Sequence, residues 1–285
     1  MAHSKTITQA IKYISCAAVL LTCSMAQAGM VSVSNYPLSL LSNEVTKGDT
    51  SANVLLSAGD VGHHGELSPS GIKAIQDSAY VVWFGESLEQ NLANSLNKAP
   101  NAISLLKFNA FNRYPIRNTD GTNKPNTEDV HIWLDPNNAK AIVRALAVIH
   151  GHANPDKQAL YAKNAQNFAK RMDAAVARVS QSPSQSYWAY HDSYQYLEKV
   201  ANLKFAGALT PDHHLSPKAS QIKLLKQTRP KSHMCIVSQS AVSQGIQNKI
   251  GNVNVIVRQE DMSDGKDFIS AWTDLVTSIQ NCAKS

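Results

Sequence analysis

Two successive runs of alternating strand and helix signals, separated by one long uninterrupted helical pattern, predict an α/β protein of two lobes. Each lobe is expected to hold a mainly parallel sheet, and a long rigid helix is expected to join them. A chain of 285 residues is long enough for two such units sharing a cleft. With 43% hydrophobic and 17% charged residues it can bury substantial cores.

The first lobe begins with the alternating Met30-Val31-Ser32-Val33-Ser34 and the apolar run 52–57, both read as strands. Gly59, Gly62 and Gly65 mark a loop, and Pro69 opens a helix through Asp77. The continuous apolar run Ala79-Tyr80-Val81-Val82-Trp83-Phe84 suits a strand buried on both faces, and Gly85 ends it. A helix over 87–96, a strand near 103–106 and a helix over 138–150 complete the lobe. Between the last two, residues 112–129 are polar, rich in Asn, Thr, Gly and Pro and free of histidine, and read as a mobile surface loop.

Asn154-Pro155-Asp156 supplies an N-cap, a proline at the first helical position and an acid near the positive helix end. From there Leu160, Ala165, Phe168, Ala169, Met172, Val176 and Val179 recur at helical spacing, with no proline before Pro183. This is the expected strut. Strands over 187–190, 205–209, 235–237 and 253–257 follow, alternating with helices over 191–201, 217–227, 240–250 and 267–282. The expected division is a leader at 1–28, a first lobe at 29–153, the interlobe helix at 154–182 and a second lobe at 183–285.

The leader is read from Lys5 and Lys12, the short apolar run 16–23 and the small-residue sequence Ala26-Gln27-Ala28, the layout of a cleavable secretory signal. The run is too short to span a bilayer. A lipid anchor on Cys16 or Cys23 would need small residues before the cysteine, which Tyr13-Ile14-Ser15 and Leu20-Leu21-Thr22 supply poorly. Export leaves Cys235 and Cys282 as the two cysteines, and an oxidising compartment favours a disulfide between them. The net charge of +6 comes from scattered Lys and Arg, not a dense patch, which argues against nucleic acid as a partner.

Ten histidines are present, and their topological positions sort them. His63 lies in the glycine-punctuated turn, His131 opens a strand-like segment after the polar loop, and His191 sits where a strand yields to a helix. All three fall at the ends of core elements, where open sheets place ligand sites. Three neutral imidazoles favour Zn²⁺, whereas Mn²⁺ would prefer more carboxylates. Asp261 is the first choice for the fourth ligand, with Glu260 next and water as the alternative. The pair His213-His214 reads as a solvated loop and otherwise as an accessory site, and His150 and His152 as imidazolium groups at a helix end. There is no H-E-x-x-H, no G-x-S-x-G and no phosphate-binding loop.

Three segments also carry a resemblance: His63-His64-Gly65-Glu66-Leu67-Ser68-Pro69-Ser70, Asp129-Val130-His131-Ile132-Trp133-Leu134-Asp135-Pro136 and Tyr190-His191-Asp192-Ser193-Tyr194-Gln195-Tyr196-Leu197. Over nearly the whole mature chain the sequence resembles the metal-binding solute receptors of bacterial ABC uptake transporters, in the zinc-binding branch with a rigid interlobe helix. The resemblance implies His63, His131 and His191 as ligands and a late cysteine pair. It implies a periplasmic monomer that captures Zn²⁺ and delivers it to an inner-membrane ABC permease, without catalysis. Histidine at 191, where the manganese branch commonly has glutamate, agrees with zinc. The histidine-free 112–129 loop departs from the metal-gathering loop of that group, and Gly62 offers no side-chain ligand. A Mn²⁺ or Fe²⁺ receptor of the same fold is the main alternative, and a zinc hydrolase with Glu66 as base the lesser one.

Overall fold

The computed structural model describes residues 29–60, 65–211 and 215–284. The leader, His63, His64 and the His213-His214 pair lie outside the described residues. Strands β1 (Val31–Val33), β2 (Asn53–Val54), β3 (Tyr80–Trp83) and β4 (Ala102–Ser104) form a parallel sheet in the order β2-β1-β3-β4. A second parallel sheet has the order β6-β5-β7-β8, from β5 (Gln185–His191), β6 (Leu203–Thr210), β7 (Met234–Ser238) and β8 (Val253–Val257). In each sheet the connections reverse direction across the central pair, and the carboxyl ends of that pair open a crevice.

The helices are α1 (Tyr36–Thr46), α2 (Pro69–Asp77), α3 (Gln90–Leu96), α4 (Pro136–Ala153), α5 (Gln158–Val179), α6 (Gln195–Ala201), α7 (Ala219–Gln227), α8 (Gln244–Ile250) and α9 (Phe268–Lys284). Local chemistry fixes their starts. Ser68 caps α2 by accepting from Gly71 N at 3.1 Å, with Pro69 at the first position. Asp135 caps α4 by accepting from Asn137 N (2.6 Å) and Asn138 N (3.1 Å), with Pro136 following. The Asn154-Pro155-Asp156 start forms a 3₁₀ turn (Pro155–Lys157) and then α5, whose 22 residues span about 33 Å. This is the interlobe helix. The sequence reading did not assign α1; Asn35 caps it, accepting from Leu38 N at 3.2 Å, and most of its residues are buried, which erases an amphipathic stripe.

One continuous buried cluster runs through α1, α4, α5 and α9 and reaches both sheets, with Phe168, Met172, Trp272 and Ile279 inside it. Further bonds tie the lobes. Trp272 Nε1 donates to Leu134 O (2.9 Å), Trp133 Nε1 to Glu260 O (3.0 Å) and Tyr36 Oη to Gly265 O (2.7 Å). A disulfide joins Cys235 on β7 to Cys282 on α9, as the two remaining cysteines predicted. Among the described residues no helix is long and apolar enough to cross a membrane.

Residues 112–129 differ from the mobile loop read in the sequence. The segment leaves and rejoins the first lobe, pairs with itself through Lys124 N to Ile116 O and Asn118 N to Thr122 O (both 2.8 Å), and lays its tip on the second lobe. Polar groups, not an apolar core, hold it, which is why composition alone made it look loose.

Candidate metal centre

His131 and His191 come from opposite lobes. The segment Asp129-Val130-His131 enters a 3₁₀ turn (Ile132–Leu134), not the strand expected, because Asp135 and Pro136 immediately start α4. That turn faces His131 toward the cleft. His191 is the last residue of β5, and Glu260 follows β8, so both sit at carboxyl ends of the second sheet.

The three side chains form one group whose ligand atoms lie within 4.8 Å of one another, all buried. His131 Nε2 is 3.4 Å from Glu260 Oε1, and His191 Nε2 is 3.1 Å from Glu260 Oε2. The imidazole centroids are 6.1 Å apart. A tetrahedral shell with metal–donor bonds of about 2.1 Å puts neighbouring donors about 3.4 Å apart, so the group matches a zinc shell with little adjustment.

Supporting groups orient each donor. Asp129 Oδ1 accepts from His131 N at 3.0 Å and lies 2.6 Å from His131 Nδ1, so Nδ1 carries the proton and Nε2 faces the group. Ser193 Oγ lies 2.8 Å from His191 Nε2, and Gln239 donates to both Ser193 Oγ (3.3 Å) and Glu260 Oε2. Trp133 holds the Glu260 backbone from the opposite lobe. Burial disfavours an imidazolium at 131, but the charges of Glu260 and Asp129 prevail and hold its pKa well above the ordinary value. Burial alone would raise the Glu260 carboxyl; the two facing imidazoles instead hold it well below the usual range.

Asp261, the first choice in the sequence, lies outside this group. Its Oδ2 accepts from Gly59 N at 3.1 Å and its Oδ1 from Ser263 N at 2.9 Å, so it braces its own turn and ties it to Gly59 of the first lobe. Glu260, its neighbour, supplies the carboxylate. An acid pair in a loop does not reveal which member turns inward. Glu66 is exposed and outside the group. His150 does lie in the last turn of α4, as read in the sequence, but not as an imidazolium: it is buried beside Ser42 Oγ at 2.8 Å, and burial pushes its pKa down to about 4.

A buried nitrogen-and-oxygen donor set, closed between two parallel-sheet lobes joined by a long helix, defines a solute receptor for a metal ion. The chain belongs to the family described as the periplasmic component A of the zinc-uptake complex, ZnuA, which it matches over residues 31–282. Its curated relatives include the high-affinity zinc uptake system protein ZnuA of Haemophilus ducreyi, 24% identical over 238 residues that cover 71% of this chain and 76% of the relative. The protein of that name from Brucella abortus is 25% identical over 174 residues, 54% of this chain and 50% of the relative. A solved ZnuA structure shares the fold, with a TM-score of 0.75 at 20% identity, covering 90% of this chain and 99% of that one. The family consists of receptors, not enzymes, in agreement with the sequence reading.

Proposed function

We propose that this chain captures Zn²⁺ in the periplasm through His63, His131, His191 and Glu260 and delivers it to an ABC permease in the inner membrane. The observation that carries the reading is the buried convergence of His131, His191 and Glu260 from two lobes. Three imidazoles and one carboxylate suit Zn²⁺ better than Mn²⁺ or Fe²⁺, and four protein ligands leave no position for a reacting water. Support for His63 comes from the sequence motif and from the Gly59–Asp261 bond, which holds Gly59, four residues earlier in the chain, beside the residue after Glu260. The leader at 1–28 and the Cys235–Cys282 bridge both suit an oxidising compartment.

The test is calorimetric titration of metal-stripped protein with Zn²⁺, Mn²⁺ and Fe²⁺, repeated on His63→Ala, His131→Ala and His191→Ala. One zinc per chain, preferred over the other two ions and weakened by each substitution, is expected. Absence of zinc binding by the unsubstituted protein refutes the assignment.

A further inference from the structure

Resting on that reading, we infer that residues 112–129 form a strap that positions both imidazole ligands, and that Arg117 is its positioning residue on the His191 side. The strap touches His131 directly and, on the other side, the residue that follows His191. At its base, Asp129 fixes the ring of His131, and Asp129 O accepts from Tyr196 Oη at 2.8 Å. Tyr114 N donates to the same Tyr196 hydroxyl at 3.2 Å. At mid-strap, Arg117 crosses to the second lobe. Its Nε and Nη2 donate to the two oxygens of Asp192, each at 2.7 Å, and Asp192 directly follows His191. Nη1 and Nη2 donate to Glu198 at 2.9 and 2.6 Å.

The geometry is that of a fork that a lysine ammonium cannot reproduce. The guanidinium lies 4.1 Å from the centre of the Phe205 ring, and Tyr187 Oη completes the cluster by donating to Glu198 at 2.9 Å. Arg117 and Asp192 are both largely buried, so either carboxylate without the guanidinium would be left as a costly buried charge. The tip is seated independently. Thr119 O accepts from Ala208 N at 2.9 Å, and Thr119 Oγ1 donates to Gln221 Oε1 at 2.8 Å. One polar segment therefore spans from the His131 side of the metal to the His191 side. Anything that holds both ligands together stabilises its seat, and by reciprocity its seat stabilises the metal-bound arrangement.

The consequence is a coupling between strap seating and metal occupancy. Loss of the fork should speed zinc release, because His191 loses the brace beside it while its own side chain is untouched. The experiment measures chelator-driven zinc release by stopped flow, and the melting temperature of metal-free protein, for the wild type, Arg117→Gln and Arg117→Lys. Release at least tenfold faster in Arg117→Gln is expected, with partial recovery in Arg117→Lys. A lower melting temperature with unchanged release marks Arg117 as merely structural and overturns the inference. Hydrogen exchange on the wild type gives a reading that needs no variant: the amides of Asn118, Thr122 and Lys124 should gain protection when zinc is added. Unchanged protection in protein that binds zinc overturns the strap alone, whereas failure to bind zinc overturns the receptor reading with it.

Discussion

Zinc affinity should rise steeply with pH, and the reason lies at His131. Its Nε2 faces Glu260 at 3.4 Å and its Nδ1 faces Asp129 at 2.6 Å. At an effective dielectric of about 20, those separations give an imidazolium about 5 and about 6 kcal/mol of attraction. Removing an ion from water costs several kcal/mol after relaxation, so the two carboxylates win and His131 is protonated at neutral pH in the metal-free protein. A zinc ion needs the Nε2 lone pair and must displace that proton. Each displaced proton changes the binding constant tenfold per pH unit, or about 1.4 kcal/mol. Glu260 is already ionised in this range and adds no opposing term. Zinc affinity should therefore increase by up to about tenfold between pH 6.5 and 7.5 on account of this one proton. The assay is calorimetry in two buffers of different ionisation enthalpy, which counts released protons directly. Glu260→Gln should weaken binding by at least about 100-fold, the upper range for losing a mere outer-shell partner, and flatten the pH slope by lowering the His131 pKa. Flat affinity with no proton released by the wild type would refute the argument.

For the metal-free fold the same two shifts work in opposite directions. The raised His131 pKa contributes stability that is full below the unfolded value of 6.5 and is lost as pH rises through the folded value; the depressed Glu260 contributes above its unfolded 4.5 and fails as pH falls. Metal-free protein should thus lose stability on the alkaline side, where zinc binds best, a trend that thermal melts from pH 5 to 9 would trace. Glu89, fully buried beside Ser34, Asn35 and Gly85, has its carboxyl pushed by burial up to about 7. Since the unfolded carboxyl ionises near 4.5, folding stability should fall by about 3 kcal/mol between pH 4.5 and 7.5 on its account, and denaturant titration of Glu89→Gln should lack that component. Trp133→Phe removes the donor to Glu260 O and should cost about 1–3 kcal/mol by urea unfolding, with weaker zinc binding. Replacing both Cys235 and Cys282 by alanine opens a loop of sequence separation 47 and should cost up to about 4 kcal/mol, and a melt unchanged from wild type would contradict this.

The strands and most helices were legible because their signals are local. The apolar run 79–84 needs no partner to be read as a buried strand, and Pro69 announces a helix start by itself; the helix expected from Asn138 begins two residues earlier, at Pro136. Helix α1 escaped because it is buried on nearly all sides and shows no stripe. His131 and His191 could be picked by topology, since the ends of parallel strands are where clefts open. The choice between Glu260 and Asp261 could not, because it depends on which carboxylate finds Gly59 and Ser263 and which is held by Trp133 and Gln239, all contacts across long sequence distances. Arg117 was invisible for a similar reason: one of two arginines in a polar loop shows nothing of the two carboxylates waiting 75 and 81 residues on.

The way the lobes are joined also limits how the ion can leave. A hinge that opened widely would have to expose the cluster shared by α1, α4, α5 and α9, whose burial is worth far more than any single ligand bond. It would also break the bonds of Trp272 to Leu134 and of Tyr36 to Gly265. The cheaper motions lie nearer the metal, in segments that carry little shared core: the turn tied by Gly59 to Asp261 and the strap seated by Arg117. Each of these bonds touches a residue beside a donor. Release should therefore proceed by loosening these local braces while the helical core stays closed, so that a docking partner needs to move loops at the cleft and not the lobes as bodies. Hydrogen exchange would separate the two routes: zinc removal should raise exchange in the strap and the turn after Asp261 and leave the amides of α5 and α9 protected, and fast exchange along α5 would instead mean that the lobes swing apart.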